Sequence, residues 1–250
     1  MARPGIALQL YTLRAEAAAD YLGTLRQVAA LGYQGVEFAG YGGLPAGELK
    51  RLLDELGLRP AGSHVRLERL EGALDDELAY ARAIGLRDVA LPAVPEGRRE
   101  TLDDFRRLAA FLNATGERCR TAGIRLSYHN HAFEFVRFDG AYALDRLLGW
   151  TDPRLVFWEP DVYWIARAGE DPVAYVRRYA DRCPLVHLKD VAADAEQSFA
   201  EVGEGTLDFD ALFAAAPEAD WYVVEQDRAR GSAIESARTS LENLRRWGRL

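Results

Sequence analysis

The four histidines of the chain, His64, His129, His131 and His187, all stand at or just past the C-terminal end of a short apolar run. Carboxylates occupy the same kind of position in Gly35-Val36-Glu37, in Trp158-Glu159-Pro160-Asp161 and in Val223-Val224-Glu225-Gln226-Asp227, while Lys189 and Asp190 follow closely on His187. Histidines serving only as satisfied core residues would not collect at such positions. Imidazole and carboxylate ends converging from neighbouring strands can bind a divalent cation such as Mn²⁺, Mg²⁺, Co²⁺ or Zn²⁺, with mixed N/O ligation leaving room for substrate oxygens. Asp161, His187 and Glu225 have that character. A charge set into runs this apolar costs several kcal/mol unless it is paired or metal-bound. The structural alternative is a set of Arg–carboxylate pairs.

The elements that must position these side chains are legible as an alternation of short runs rich in Val, Ile, Leu and Tyr with longer segments of helical apolar spacing, the pattern of βα units on a parallel sheet. The spacing predicts strands over Ile6–Leu10, Gly35–Phe38, Arg59–His64, Asp88–Leu91, Ile124–His129, Leu155–Glu159, Leu185–Leu188 and Trp221–Glu225. It predicts helices over Tyr21–Leu31, Ala46–Leu56, Glu71–Ile84, Thr101–Ala122, Ala141–Leu148, Pro172–Arg182, Asp208–Ala215 and Ala233–Trp247. Gly32, Gly57, Gly85 and Gly123 each close a helical pattern before a strand, as a left-handed C-terminal glycine does. Eight units in 250 residues give about 31 residues each, the size of a (β/α)₈ repeat. A single (β/α)₈ TIM barrel over residues 1–250 is expected. A doubly wound sheet is the alternative, but Gln9-Leu10-Tyr11-Thr12 stands where a dinucleotide fold needs its glycine-rich turn. In a barrel, the residues listed first all fall at the C-terminal mouth, where barrel chemistry sits.

Composition narrows the partners. With 31 Lys+Arg against 39 Asp+Glu the formal charge is −8, which opposes a polyanion, so nucleic acid is not expected. Cys119 and Cys183 are too few and too distant for a disulfide framework or a CxxC zinc site, and are expected as buried thiols. The opening MARPGIALQLYTLR has no apolar stretch of signal-peptide length and no window has the length and apolarity of a membrane span, so a cytoplasmic protein without membrane contact is expected, a homo-oligomer being compatible with it. Lys50 and Lys189 are the only lysines.

The element order together with Gly35-Val36-Glu37, Ser63-His64-Val65, Tyr128-His129-Asn130-His131-Ala132-Phe133-Glu134-Phe135, Pro160-Asp161-Val162-Tyr163-Trp164, Val186-His187-Leu188-Lys189-Asp190 and Val202-Gly203-Glu204-Gly205 resembles the xylose-isomerase-like TIM barrels of the sugar phosphate isomerase/epimerase family. The resemblance covers essentially the whole chain. It implies one divalent metal held by a Glu after the fifth strand, an Asp at the sixth, a His at the seventh and a Glu at the eighth; Asp161, His187 and Glu225 match three of these places. At the fifth, His129-Asn130-His131 replaces Glu-Asn-His, so the resemblance implies His129 as ligand, with Glu134 as the fallback. The site would then be less anionic and would lack a carboxylate base on that strand. Trp164 stands where ketose 3-epimerases tend to have a His.

A cation bound to a substrate carbonyl and its neighbouring hydroxyl acidifies the intervening C–H, because it stabilises the enediolate. Glu225 is the expected base or shared ligand, and Glu159 or Glu37 the source of a second proton transfer. His64 and Lys189 are expected as donors to substrate oxygens. The function expected is a metal-dependent sugar isomerase or epimerase acting on a ketose or keto-sugar derivative. Alternatives are a metal-dependent lyase or dehydratase on a keto-sugar or keto-inositol, a Schiff-base aldolase using Lys189, and a non-catalytic sugar-binding barrel. Tyr11, Phe38, Tyr128, Phe133, Trp158, Tyr163 and Trp164 could wall a sugar or polyol site. The absence of a GxxxxGK[ST] cradle favours an unphosphorylated substrate.

Overall fold

In the computed structural model, which describes residues 3–250, the eight apolar runs form eight parallel strands. They are β1 (Gly5–Gln9), β2 (Gly35–Phe38), β3 (Arg59–His64), β4 (Asp88–Leu91), β5 (Arg125–His129), β6 (Val156–Glu159), β7 (Leu185–Leu188) and β8 (Trp221–Val224). Hydrogen-bonded neighbours run β6-β5-β4-β3-β2-β1-β8-β7. The two ends of this sheet meet where the backbone N–H of His187 donates to Pro160 O at 2.8 Å and Asp161 bridges to His187 in parallel. The barrel is thus joined at two of the residues singled out for chemistry.

Period-two alternation explains how the strands aim their polar ends. Ala7, Ala61, Leu185, Trp221 and Val223 form a small apolar cluster separate from the main core. The next positions on the same faces of these strands are Gln9, Ser63, His187 and Glu225. The lower part of the lumen is therefore dry and packed, and the polar layer rests directly on it. The larger core lies between strands and helices, built from residues such as Leu8, Val36, Leu126, Val186 and Val224.

The helices are α1 (Arg14–Ala19), α2 (Tyr21–Leu31), α3 (Ala46–Leu56), α4 (Leu67–Gly72), α5 (Leu74–Ile84), α6 (Leu102–Thr121), α7 (Ala143–Trp150), α8 (Val162–Arg167), α9 (Pro172–Arg178), α10 (Phe209–Ala215) and α11 (Ala233–Arg246). Gly32, Gly57 and Gly85 close α2, α3 and α5 with φ of 96°, 67° and 78°. The helix expected over Glu71–Ile84 is instead two, because Ala73 leaves helical geometry at φ −146°. The helix expected from Ala141 begins at Ala143, since Ala141–Tyr142 pairs with Arg137–Phe138 across an Asp139-Gly140 turn in which both residues have positive φ. Beyond Arg178 the expected α9 gives way to a 3₁₀ turn over Ala180–Arg182. Both cysteines are buried free thiols. Among the described residues no helix is long and apolar enough to cross a membrane.

Candidate active site

Four strand ends deliver the ligand-type groups. His129 ends β5, Asp161 lies just past β6, His187 lies within β7 and Glu225 directly follows β8. One ligand atom from each lies within 4.8 Å of all the others, and all four residues are buried. A second set, His64, His129, Glu159 and His187, meets the same distance condition. Both sets share the two imidazoles because each ring presents one nitrogen to each side.

His187 shows this most clearly. Its Nε2 donates to Glu37 Oε2 at 2.6 Å while its Nδ1 lies 3.0 Å from Glu225 Oε2. Burial alone would lower its pKa, but Glu159 and Glu37 outweigh that and hold it well above the usual histidine value. His129 is placed oppositely: Nδ1 lies 3.2 Å from Glu159 Oε2, and Nε2 3.6 Å from Asp161 Oδ2. Burial, reinforced by His187 and His64, drives its pKa well below the usual value, which leaves a neutral ring with lone-pair character.

Asp161 serves two structures at once. Its Oδ1 accepts from Trp164 N at 3.1 Å and so caps α8, which directs Oδ2 into the site. Burial, partly offset by Lys189, raises its pKa to about 6. Asn130 buttresses this corner, its Oδ1 accepting from Trp158 Nε1 and from Asp161 N, each at 3.1 Å. Asp161 Oδ2 is held only by the Lys189 ammonium at 2.8 Å, and His129 Nε2 faces it at 3.6 Å. Two imidazoles and two carboxylates with ligand atoms this close form a mixed N/O donor set that fits a divalent cation, whose charge would take over the role Lys189 plays toward Asp161 and Glu225.

Lys189 is buried in the same cluster, with Nζ 2.8 Å from both Asp161 Oδ2 and Glu225 Oε2 and 2.7 Å from Asp227 Oδ2. Desolvation disfavours the ammonium, but Asp161, Glu225 and Asp227 overcome it and raise the pKa well above the ordinary lysine value. Glu225 responds in the opposite sense: burial would raise it, yet Lys189 and His187 hold it well below the usual carboxylate range. The cluster is therefore built on His and Lys pairing, and the Arg–carboxylate alternative does not describe it.

Glu37, Glu159 and His64 form the adjoining layer. Glu37 Oε2 also accepts from Gln9 Nε2 at 2.8 Å, and burial beside Glu159 raises its pKa to about 7. Glu159 Oε2 lies 2.9 Å from His64 Nε2, and His187 and His64 keep its carboxyl well below the usual range despite burial. Neither Glu37 nor Glu159 reaches the cavity above. Glu134, the fallback ligand, is turned away: Tyr128 OH donates to its Oε1 at 2.7 Å and His131 N to its Oε2 at 2.8 Å.

A cavity of about 610 Å³ opens over this cluster, its walls including Tyr11, Tyr41, His64, His131, Lys189 and Glu225. Of the aromatic residues expected as sugar walls, Phe38, Tyr128 and Trp158 are wholly buried in the core and do not line it. The reason is alternation: these three sit on the outward face of their strands, under the helices. Tyr41 and Arg66, which do line it, lie in the loops after β2 and β3 and carry no sequence pattern beyond following a strand end. Asp227 as the third carboxylate on Lys189 was visible only as one more acid past β8.

Residues 25–247 match the family model described as xylose isomerase-like TIM barrel. The inosose dehydratase of Lacticaseibacillus casei is 33% identical over 158 residues, which is 55% of this chain and 52% of that protein. The inosose dehydratase of Geobacillus kaustophilus is 35% identical over 150 residues, 52% of this chain and 48% of that protein. These alignments span about half the length of the curated relatives. A sugar phosphate isomerase/epimerase crystal structure from Parabacteroides distasonis superposes with a TM-score of 0.81 at 28% identity, covering 98% of this chain and 94% of that one.

Proposed function

We propose, for a chain that belongs to the xylose isomerase-like TIM-barrel family, that it is a divalent-metal-dependent isomerase or epimerase of a keto-sugar or keto-polyol, working by removal of a proton next to the carbonyl. The observation that carries this reading is the convergence of ligand atoms from His129, Asp161, His187 and Glu225 within 4.8 Å of one another under one cavity. These four would hold the ion, in preference to the set containing His64 and Glu159. They bring two carboxylates rather than one. A bound divalent ion would polarise the substrate carbonyl and the hydroxyl beside it.

The protein's own residues would do the rest. Glu225, at the cavity wall, is positioned to take the proton. Lys189 and His187 hold down its basicity, so it can act only on a C–H that the carbonyl has already acidified. Lys189, kept as an ammonium by three carboxylates that occupy its three N–H groups, would donate to a substrate oxygen by giving up one of those pairings. The same pairing argues against a Schiff base, which needs the free amine. His64 lines the wall supplied by β3 and stacks on His187 with ring centroids 5.2 Å apart, and Glu37 and Glu159 outweigh its burial to raise its pKa. Glu225 and His64 are the proton-active groups assigned to the cavity, and epimerisation would need them to act on opposite faces of the substrate carbon. Glu37 and Glu159, lying beneath the cavity, are assigned to orienting His187, His129 and His64 rather than to touching substrate.

Dehydration is the second reading, favoured by the inosose dehydratases that match about half of the chain. It begins with the same proton removal and diverges when a hydroxyl leaves from the neighbouring carbon. Glu225→Gln keeps an oxygen ligand but removes the base, so bound metal is expected to be partly retained while turnover falls by roughly 10² to 10⁴. His129→Gln is expected to weaken metal binding, with activity recovering as the ion is raised. Exchange of the substrate C–H with deuterated solvent, run on keto-sugars and keto-inositols, reads both. If His129→Gln at saturating metal is as inactive as Glu225→Gln, the division of labour between them is wrong.

A further inference from the structure

A second cavity, of about 640 Å³, lies beside the first, and Tyr11 and Asp227 line both. Asp227, lining both, also holds Lys189 of the cluster at 2.7 Å. Charge in this second space runs against the rest of the molecule. The whole chain is −8, yet four arginines, Arg14, Arg167, Arg228 and Arg230, line the cavity against the single carboxylate of Asp227.

Three of those arginines have no carboxylate partner among the described residues. Arg14 donates to the carbonyl oxygens of Tyr11 and Asp227, each at 2.9 Å, and stacks on the Tyr11 ring with its guanidinium carbon 4.4 Å from the centroid. Arg167 donates to the Gln197 side-chain oxygen at 3.0 Å, which leaves its charge uncompensated. Arg228 makes no hydrogen bond or ion pair among the described residues. Arg230 is the exception, paired with Asp194. Beside the arginines stands Trp164, whose Nε1 is buried without a hydrogen-bond partner among the described residues. Three cations gathered on one concave wall without carboxylate partners among the described residues form a receptor for an anionic group.

We infer that this arginine-lined cavity is a binding site for an acidic substituent of the substrate, a phosphate ester or a sugar-acid carboxylate, held while the keto end of the same molecule reaches past Tyr11 and Asp227 into the metal cluster. The inference rests on the proposed keto-sugar chemistry for the molecule's reacting end and adds the class of its other end. It also revises the expectation of a substrate without phosphate: a glycine cradle is one way to bind an anion, and a fork of guanidiniums is another.

Calorimetric titration tests it, with inorganic phosphate, D-fructose, D-fructose 6-phosphate and D-fructuronate as probes. The comparison is between the wild-type protein, the double variant Arg167→Gln/Arg228→Gln, and Arg66→Gln on the other cavity as a control. Inorganic phosphate is expected to bind, and at least one acidic sugar is expected to bind tighter than D-fructose by on the order of tenfold to a hundredfold, as charge-assisted hydrogen bonds allow. The preference should shrink as salt is raised and vanish in the double variant, while Arg66→Gln keeps it. Whether the phosphate or the carboxylate sugar gains more identifies the source of the anion. The inference is overturned if no phosphate and no acidic sugar binds, if the three sugars bind equally, if the preference survives in the double variant, or if Arg66→Gln alone removes it. Solvent exchange at the keto-sugar C–H is measured in parallel. Lost preference with exchange intact refutes only the anion site, whereas preserved preference without any exchange refutes only the enolisation chemistry.

Discussion

Replacing Glu37 by Gln perturbs the candidate site without changing the cavity lining or replacing any of the four proposed ligands. Glu37 Oε2 accepts the Nε2–H hydrogen bond of His187 at 2.6 Å, while Nδ1 is the nitrogen facing Glu225. A glutamine keeps the size and one acceptor oxygen but removes the charge that makes the imidazole a strong donor ligand. Loss of such a supporting partner typically weakens metal affinity by about 10- to 100-fold. At a metal concentration about 100 times the wild-type Kd, binding stabilises the native state by about 2.7 kcal/mol, and the same concentration gives only about 1.4 to 0.4 kcal/mol if the affinity falls by those factors. For a chain of this size each kcal/mol moves Tm by about 2 to 4 °C, so the metal-induced rise should drop from about 5 to 11 °C to about 1 to 6 °C. The assay is a thermal melt of chelator-stripped protein with and without added Mn²⁺ or Zn²⁺. Reading the difference between the two melts cancels any effect of the substitution on the metal-free protein. An equal rise in wild type and Glu37→Gln would show that Glu37 does not act through His187, and the layered account of the site would fail.

Two further outcomes concern stability. Burial raises the pKa of Glu134 to about 8, above the unfolded value, so the folded state holds a proton that the unfolded state has released between about pH 4.5 and 8. Stability should therefore fall with rising pH across that window. Glu134→Gln should flatten this slope in urea titrations at pH 5 and pH 8, and an unchanged slope would assign the pH dependence elsewhere. Arg182 is buried and donates to Leu148 O at 2.8 Å, Thr151 Oγ1 at 2.9 Å and Val156 O at 2.6 Å. Arg182→Met leaves these acceptors unsatisfied and should cost about 3 kcal/mol or more in chemical denaturation, a loss below about 1 kcal/mol being inconsistent with the network.

Much of this was legible because each barrel unit repeats the same local chemistry. β2, β3, β4 and β7 begin and end where the apolar runs do, and the glycines at 32, 57 and 85 stop their helices as left-handed residues must. The polar mouth was legible for a related reason: a His or Glu ending a Val/Ile run has few places to go but the open end of the lumen. α8 was not foreseen, although Asp161 three residues before Trp164 is a capping arrangement, because six residues are too few for a helical period. The hairpin at Arg137–Tyr142 has its signal in Asp139-Gly140, but its two-residue strands are too short to show an alternation. The roles within the polar layer were illegible for a deeper reason. Glu37 and Glu225 both follow Val-rich strands, and only the three-dimensional register shows that one lies beneath His187 and the other at the cavity wall. Asn130, the buttress of Asp161, gave no pattern of its own.

The central claim is that a divalent ion held by His129, Asp161, His187 and Glu225 enables removal of a substrate proton. Its most direct test is solvent deuterium incorporation at the C–H beside the carbonyl of a keto-sugar or keto-inositol, followed by NMR, with protein stripped by chelator and then reloaded. Incorporation is expected to cease on stripping and to return as one equivalent of divalent ion is bound per chain, with neither the return nor the ion seen in an Asp161→Asn/His187→Gln variant. Incorporation that persists in the stripped protein at the original rate would contradict the account.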